Sequence, residues 1–184
     1  MQLIGLTGLN ASGKGTAAEY LKQNGFAYYS LSDIVRDYAS EKGLDHSREN
    51  LIICGNELRA KFGPSVLAQK ILEKIGTTGI NKAVVDSIRN IHEIETLREV
   101  PGFLLIGINA PAEIRFERSK KRGRIGFETD LQDFIDIEQK ENSEDPNKQQ
   151  LFKCLEASDI IINNNGSISE LENRLEKELD TING

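Results

Sequence analysis

The first part of the chain holds a short apolar run, a glycine-rich segment and then an amphipathic helical pattern. The apolar run covers residues 3–6, and the glycine-rich segment, residues 8–16, reads G-L-N-A-S-G-K-G-T. This is a Gly-x4-Gly-Lys motif between a predicted strand and a predicted helix, the context in which such a loop wraps around phosphate. Glycines let several backbone N–H groups converge on one anion, and the positive end of the helix points at the same anion. The motif therefore predicts binding of the phosphate tail of a nucleotide.

The lysine of this loop and the two residues after it predict contacts to phosphate and to a metal ion. Lys14 carries a positive charge that can reach the β- and γ-phosphates. The next residue, usually the Ser or Thr that binds Mg²⁺, is Gly15, and the hydroxyl comes one position later at Thr16. Thr16 is therefore a candidate Mg²⁺ ligand, directly or through water. The residues predicted to hold the nucleotide are Gly8, Asn10, Ala11, Ser12, Gly13, Lys14, Gly15 and Thr16.

Length, charge and cysteine content exclude several classes of protein. The 184 residues suffice for one domain with a sizeable core. The chain has 23 Lys and Arg against 29 Asp and Glu, a net charge of −6 that disfavours nucleic acid and anionic membranes as partners. Cys54 and Cys154 lack metal-ligand spacing and are predicted to be buried thiols. Without a membrane-spanning stretch or a signal-peptide pattern, we expect a cytoplasmic protein. The sequence leaves open whether it is a monomer or a homodimer.

Short apolar runs alternate with amphipathic helical patterns along the whole chain. Such near-continuous runs are typical of strands buried on both faces of a parallel sheet. The predicted fold is α/β, a three-layer, doubly wound, five-stranded parallel sheet, in which ligands bind at the carboxyl ends of the strands. The predicted strands are residues 3–6, 26–29, 83–85, 103–108 and 160–162. The helical patterns between them are at residues 34–39, 51–62, 66–75, 91–100, 112–121, 131–140 and 151–157, with a last helix from Ser169.

Two helical intervals are longer than a crossover between strands requires. Residues 31–76 separate the second and third strands, and residues 120–157 separate the fourth and fifth. We expect a single domain, residues 1–184, in which the first interval binds an acceptor and the second forms a lid. Ser169 and Glu172 have the spacing of a capping box at the start of the last helix.

Polar residues after the second strand are candidates for binding a second phosphate. Ser32 or Asp33 can cap the following helix, and Arg36 then lies one turn in, near the ligand edge. A guanidinium at that place can bind a phosphate through two parallel hydrogen bonds. The alternative is a plain helix cap followed by a surface arginine.

The third predicted strand is followed by an acid and an arginine, which can either take part in catalysis or only cap and flank a helix. Asp86, closing an apolar strand beside a phosphate loop, matches the Walker B arrangement, in which a carboxylate orders Mg²⁺, usually through water. Arg89 can turn back toward the transferred group; alternatively, Asp86 caps a helix and Arg89 is its exposed partner. Arg59, within the first insertion, either faces the acceptor or pairs with Glu57.

A dense positive run begins the second insertion of an otherwise acidic chain. Arginines that close over a phosphoryl group stabilise the charge that develops on its oxygens, and Arg118, Arg122 and Arg124 are the candidates. The alternative is a solvated helix end whose cations interact favourably with the helix dipole. The run consists of Arg115, Arg118, Lys120, Lys121, Arg122 and Arg124.

A polar turn, residues 163–167, follows the fifth predicted strand. If the last strand neighbours the first, this turn lies beside the phosphate loop, and its backbone, at Asn165, can line the nucleotide base. The alternative is a turn followed by a helix cap.

Taken together, these motifs resemble the nucleoside-monophosphate kinase branch of the P-loop kinases over nearly the whole chain. Gly13-Lys14-Gly15-Thr16 matches the adenylate-kinase form of the loop. Residues 32–36 are similar to that family's Gly-Asp-x-x-Arg acceptor helix, and Asp86-x-x-Arg89 to its Asp-Gly-Phe-Pro-Arg segment. Residues 157–167 resemble the end of dephospho-CoA kinases and of archaeal adenylate-kinase-related proteins. The segment from Arg115 to Arg118, followed by Arg122-Gly123-Arg124, fits that archaeal group best.

The resemblance implies transfer of the γ-phosphoryl group of ATP to a small nucleotide acceptor, with Mg²⁺. Lys14 and Asp86 would act on the donor side, Arg36 and Arg89 would hold the acceptor phosphate, and the arginines of the second insertion would close over the transfer. Ser87 and Asn90 replace the family's Gly and Pro, so the acceptor pocket differs from that of adenylate kinase. The alternatives are a dephospho-CoA kinase and an ATP-binding switch protein with weak ATPase activity.

Overall fold

Five parallel strands form one sheet in the computed structural model, which describes residues 1–121 and 130–183. The strand order is β2-β3-β1-β4-β5, and every neighbouring pair is parallel. All five strands were predicted, and the α/β class is confirmed. The strands are β1 (Gln2–Thr7), β2 (Ala27–Ser30), β3 (Lys82–Ile88), β4 (Phe103–Asn109) and β5 (Ile160–Asn163).

Helices cover both faces of this sheet, which gives the predicted three layers. Alternate residues of each strand point to opposite faces: Leu3 packs in the core on one face and Ile4 in the core on the other. Helices α2, α3, α4, α5 and α8 contribute to the first core, and α1 and α9 to the second. The helices are α1 (Lys14–Gln23), α2 (Leu31–Glu41), α3 (Arg48–Phe62), α4 (Val66–Gly76), α5 (Ile91–Arg98), α6 (Ala112–Lys121), α7 (Leu131–Glu141), α8 (Leu151–Glu156) and α9 (Ile168–Asn183).

Two helix starts differ from their predictions because a residue further upstream supplies the cap. The α2 helix is capped by Ser30, the last residue of β2, whose hydroxyl accepts a hydrogen bond from the Ser32 backbone N–H, so neither Ser32 nor Asp33 is the cap. At α9 the capping box is formed by Ser167 and Glu170, and the predicted pair two residues later is wrong.

The third strand continues past its predicted end through a bulge. Gly5 pairs with Val85 and Thr7 pairs with Ile88, so β3 carries one residue more than β1 between these pairs. Ser87 takes up the extra length with a φ of 65°, and the Thr7 hydroxyl donates to the Ile88 carbonyl oxygen at 3.0 Å. Asp86 therefore lies within β3, and the chain leaves the sheet at Arg89.

The fifth strand lies at the edge of the sheet, beside β4, so the condition considered in the sequence, that the last strand neighbours the first, is not met. No helix in the described part of the chain combines the length and apolarity needed to cross a bilayer.

Candidate active site

The phosphate loop joins β1 to α1 at the carboxyl edge of the sheet, and its backbone depends on two glycines. Gly8 has a φ of 142°, and a β-carbon there would lie 2.1 Å from the Ile108 carbonyl oxygen. Gly13 has a φ of 114° and directly precedes α1. Ala11, at a φ of 58°, also adopts the left-handed conformation, which costs free energy for a residue with a side chain. Alternating backbone conformations of this kind turn successive N–H groups toward one point.

Asn164, after the edge strand, braces this loop. Its Nδ2 atom donates to the Ser12 carbonyl oxygen at 2.8 Å, and its backbone N–H donates to the Asn109 carbonyl oxygen at 2.7 Å. Asn164 is buried, whereas Asn165, whose backbone was the predicted nucleotide contact, is exposed. The run of three asparagines was the only signal in the sequence, and it did not distinguish the buried member.

Lys14 folds back onto the loop. Its Nζ atom donates to the carbonyl oxygens of Gly8 at 2.6 Å and Leu9 at 2.9 Å. Burial and, after it, the nearby charge of Arg89 lower the pKa of Lys14 to about 8, while the charge of Asp86 acts in the opposite direction. The ammonium group thus lies at the mouth of the loop, near the arginine and the carboxylate that β3 supplies.

Asp86 is buried, and its two carboxylate oxygens have different partners. Oδ1 accepts a hydrogen bond from the Ser87 backbone N–H at 2.6 Å, and Oδ2 accepts one from the Tyr28 hydroxyl at 3.2 Å. Burial, together with the Asp86 charge, raises the pKa of Tyr28 to about 12, so the phenol stays a donor. Asn90 caps α5, so Asp86 is not a helix cap.

Asp86 and Thr16 could bind Mg²⁺ only with help from water or phosphate oxygens. Within the described residues, no group of three His, Cys, Asp or Glu side chains could hold a metal ion. One carboxylate and one hydroxyl are nevertheless the hard oxygen donors that Mg²⁺ accepts, since it keeps several waters and binds phosphate oxygens. The residues present therefore fit a Mg²⁺ ion that arrives with a nucleotide.

A cleft with a volume of about 610 Å³ opens beside the phosphate loop. Asn10 and Ala11 of the loop form one side of it, and α2, α3 and the residues after β3 form the others. Ser32, one of the residues assigned to the acceptor from the sequence, also lines the cleft. Four arginines contribute to its walls: Arg36, Arg48, Arg59 and Arg89. Such a concentration of arginines in a chain of net charge −6 makes the cleft a candidate anion-binding site.

Three of these arginines make ion pairs with carboxylates. Arg36 pairs with Asp33 at 2.6 Å, and both side chains are largely exposed. Arg48, which the sequence analysis did not single out, pairs with Glu141 of α7 at 2.9 Å. Arg59 pairs with Glu93 at 2.7 Å in the interior, and Glu57 instead contacts Lys42, so the expected alternative of an Arg59–Glu57 pair is wrong.

Arg89 differs from the other three because the partner of its side chain is neutral. Its Nη1 atom donates to Gln149 Oε1 at 3.0 Å. Burial lowers the pKa of Arg89 from its ordinary value, with the Glu141 and Asp86 charges acting in the opposite direction. Of the four guanidinium groups, Arg89 is therefore the one whose charge is least compensated by direct contacts.

Helix α6 brings two arginines against the phosphate loop. Arg118 donates to the carbonyl oxygens of Ser12 at 3.4 Å and Gly166 at 3.3 Å. Arg115 is buried, donates to the Asn10 carbonyl oxygen at 3.3 Å and forms an ion pair with Glu138 of α7. Arg122 and Arg124, the other predicted lid residues, lie outside the described residues.

Comparisons with known proteins identify the family and the fold of the chain. A family model described as an AAA domain, AAA_18, matches residues 4–145. The "UPF0200 protein" of Methanosarcina barkeri is 32% identical over 170 residues, which cover 91% of this chain and 89% of that protein. The "UPF0200/UPF0201 protein" of Archaeoglobus fulgidus is 32% identical over 181 residues, 95% of this chain but 54% of that protein. The chain thus spans about half the length of the second relative.

Solved structures give the fold. The crystal structure of TT1252 from Thermus thermophilus has a TM-score of 0.66 at 19% identity, covering 100% of this chain and 98% of that one. The shikimate kinase of Aquifex aeolicus has a TM-score of 0.54 at 15% identity, covering 98% of this chain and 97% of that one. At these identities the likeness concerns the fold alone, and it confirms the predicted P-loop kinase fold. This chain belongs to the AAA domain family AAA_18 and to the UPF0200 proteins, and it has the fold of a P-loop kinase.

Proposed function

We propose that this chain transfers the γ-phosphoryl group of ATP to a small nucleotide acceptor, a nucleoside monophosphate or deoxynucleoside monophosphate. The observation that carries the proposal is the arginine-lined cleft directly beside the phosphate loop. A loop alone would serve a hydrolase or a switch equally well. A second anion site at the same sheet edge supplies a place for the phosphate that receives the transferred group.

The donor side of the reaction is assigned to the phosphate loop. Lys14 leaves its carbonyl partners and binds the β- and γ-phosphates, while the loop N–H groups and the start of α1 bind the same anion. Asp86 and Thr16 are the residues that would hold Mg²⁺. When bound, the ion would neutralise negative charge on the phosphate oxygens.

The acceptor side is assigned to Arg36, Arg59 and Arg89. Arg89 can add a phosphate ligand without giving up a carboxylate, since its direct partner is Gln149. Arg36 is exposed on the first turns of α2 and exchanges Asp33 for phosphate at little cost, because exposed ion pairs are worth only about 0–1 kcal/mol. An acceptor phosphate is ionised at neutral pH, since its second pKa is about 6, and needs no general base. The site then acts by orienting the acceptor and stabilising charge.

The α6 helix is assigned to the transferring group itself. Arg118 already contacts the loop through the Ser12 carbonyl oxygen, so small changes in its side chain bring the guanidinium to a phosphate held there. We include Arg122 and Arg124 in this role on the basis of the sequence pattern, and Asn165 as a contact to the nucleotide. Charge stabilisation by such arginines is a large component of phosphoryl-transfer rates.

A transfer screen tests the proposal. The purified chain is incubated with ATP, Mg²⁺ and each nucleoside monophosphate, each deoxynucleoside monophosphate and dephospho-CoA in turn, and the products are separated by chromatography. We expect one class of monophosphate to be converted to the diphosphate. Lys14→Ala should abolish transfer with the fold intact. Lys22→Ala, which removes an exposed lysine of the same helix, should leave it unchanged.

The outcomes of the screen distinguish the three candidate functions: a nucleoside-monophosphate kinase, a dephospho-CoA kinase and an ATP-binding switch protein. If dephospho-CoA alone is phosphorylated, the acceptor is not the proposed nucleoside monophosphate, but the reaction is still phosphoryl transfer from ATP. ATP hydrolysis that no acceptor stimulates would overturn the kinase proposal in favour of a switch.

A further inference from the structure

We infer that Glu93 is a positioning residue for the acceptor, one that fixes Arg59 and the backbone of Arg89 at the wall of the cleft. The inference rests on the proposed function for the identity of the acceptor. It assigns a role to a buried carboxylate that belongs neither to the phosphate loop nor to the predicted acceptor residues.

Glu93 uses each carboxylate oxygen for a different part of the cleft. Oε1 accepts two hydrogen bonds from Arg59, one from Nε at 3.1 Å and one from Nη2 at 2.7 Å. Oε2 accepts two from the backbone N–H groups of Arg89 at 2.9 Å and Asn90 at 3.1 Å. The side chain of Glu93 is 0% exposed and that of Arg59 is 4% exposed. One carboxylate thus joins α3 to the turn that follows β3.

Helix capping accounts for only part of this arrangement. Glu93 is the third residue of α5, and a capping box needs only its bond to the Asn90 N–H. The remaining oxygen is used by a guanidinium from a helix 34 residues earlier in the chain. Burying such a pair is seldom more stabilising than burying apolar side chains of the same size, because both charges lose their hydration. A role in holding Arg59 explains why the pair is there.

The geometry leaves one end of Arg59 available to a ligand. The two bonds to Glu93 use Nε and Nη2, and Nη1 has no hydrogen bond within the described residues. Gly55, one turn earlier on α3, lines the same cleft, and a β-carbon there would lie 3.4 Å from Nη1. The glycine therefore leaves a gap beside the third nitrogen of the guanidinium.

Positioning and simple charge neutralisation predict opposite effects for Glu93→Gln. If Glu93 only neutralised Arg59, removing its charge would make the cleft more positive and acceptor binding tighter. If it positions Arg59, the change weakens binding. The glutamine keeps an oxygen for the N–H groups of Arg89 and Asn90 but turns an NH₂ group toward the guanidinium, and two donors cannot hydrogen-bond to each other.

The experiment measures acceptor and donor binding separately in the full chain. With the acceptor from the screen, we expect Glu93→Gln to raise the acceptor KM by about tenfold or more, the loss typical of one charged hydrogen bond, with the ATP KM within about twofold. Arg59→Met should raise the acceptor KM similarly, and the double variant should be no worse than either single variant, because both changes remove one unit. Glu95→Gln is the matched control, since it makes the same change on an exposed side chain of the same helix.

The same variants give a binding test that does not depend on turnover. AMP and inorganic phosphate are titrated into each variant by calorimetry, so absence of transfer in the wild-type chain would defeat the proposed function without deciding the role of Glu93. A folded Glu93→Gln chain that binds the acceptor or these probes as tightly as the wild type, or more tightly, overturns the inference. If Glu93→Gln does not fold, the Glu93→Gln/Arg59→Met chain, which buries neither charge, takes its place, and wild-type affinity in that chain overturns it equally.

Discussion

Asn164 and Gly13 lie so close together that a β-carbon on residue 13 would be 2.2 Å from the Asn164 Nδ2 atom. The same amide donates to the Ser12 carbonyl oxygen. The segment after the edge strand thus supports the phosphate loop from the side, although a whole strand, β4, separates β5 from β1. The loop conformation therefore depends on residues at both ends of the chain.

Gly13→Ala should destabilise the chain by about 2 kcal/mol or more, because it combines a contact of 2.2 Å with a left-handed φ of 114°. Urea unfolding followed by circular dichroism measures this. Adding Asn164→Ala should recover part of the loss, since it removes the contact but leaves the backbone strain. Gly15→Ala is the control: nothing lies within 4 Å of a β-carbon there, and its effect should be below about 0.5 kcal/mol. Equal losses at the two glycines would contradict this account.

Most of the fold was predictable because it follows from local patterns. Each strand is an apolar run with turn residues on either side, and the phosphate loop fixes where the first strand ends. The cap of α2 was missed for a local reason as well: Ser30 belongs both to a strand and to the helix start, and the sequence alone gives Ser32 and Asp33 equal claims.

The partners of the arginines were not predictable. Arg59 and Glu93 are far apart in sequence and meet only because α3 and α5 both pack against α4, whereas the Glu57 considered from the sequence lies on the same helix as Arg59. Arg48 and Glu141 likewise come from different insertions. Long-range contacts of this kind depend on the packing of whole helices, and periodicity carries no information about them.

Because of Lys14, we expect the affinity for a nucleotide to decrease as the pH rises above about 8. Its pKa is lowered from 10.5 to about 8 in the folded chain, so between these values the folded chain has lost a proton that the unfolded chain keeps. The contribution of Lys14 to the stability of the unliganded chain therefore rises with pH across this window. The bound phosphates favour the charged amine, so ADP affinity should fall above pH 8 and binding there should take up a proton.

Calorimetry of ADP binding at about pH 9, in two buffers of different ionisation enthalpy, measures that proton directly, since the expected pKa shift on binding spans this pH. The uptake should be close to one proton at most and should vanish in Lys14→Met. Lys22→Met, at an exposed position of α1, should retain it. Wild-type binding without uptake would mean that Lys14 does not change its protonation when the nucleotide arrives.

Arg89→Ala should lower kcat/KM for the acceptor by about 100-fold, which corresponds to roughly 2–3 kcal/mol for a charged hydrogen-bonding group. The ATP KM should change little. Arg89→Lys keeps the charge but not the planar fork that donates to Gln149 and to a phosphate together, so only part of the activity should return. Arg98→Ala is the control, because Arg98 is an exposed arginine of α5 that pairs with Asp159. An Arg89→Ala chain with wild-type acceptor kinetics would remove Arg89 from the site.

We expect Arg115 to contribute more to the folding stability of the chain than to the positive charge of the candidate site. It is buried with Glu138, and it also donates to the Asn10 carbonyl oxygen of the phosphate loop. Burial raises the pKa of the Glu138 carboxyl, while the hydrogen bond from Arg115 lowers it. Removing the guanidinium leaves a carboxylate in a site that no longer compensates it, so Arg115→Met should cost about 3–5 kcal/mol of unfolding free energy.

The paired variant Arg115→Met/Glu138→Leu separates the two contributions. It removes both buried charges, so urea unfolding should show most of the stability returning, while ADP binding should stay weaker than in the wild type because the Asn10 carbonyl oxygen has lost its donor. Lys120→Met, on the exposed side of α6, should change neither quantity. If the paired variant is as unstable as Arg115→Met alone, the cost lies in lost packing against Phe134, whose ring centroid is 5.4 Å from the guanidinium carbon, rather than in an isolated carboxylate. If ADP binding instead returns fully, the hydrogen bond to Asn10 does not shape the phosphate loop.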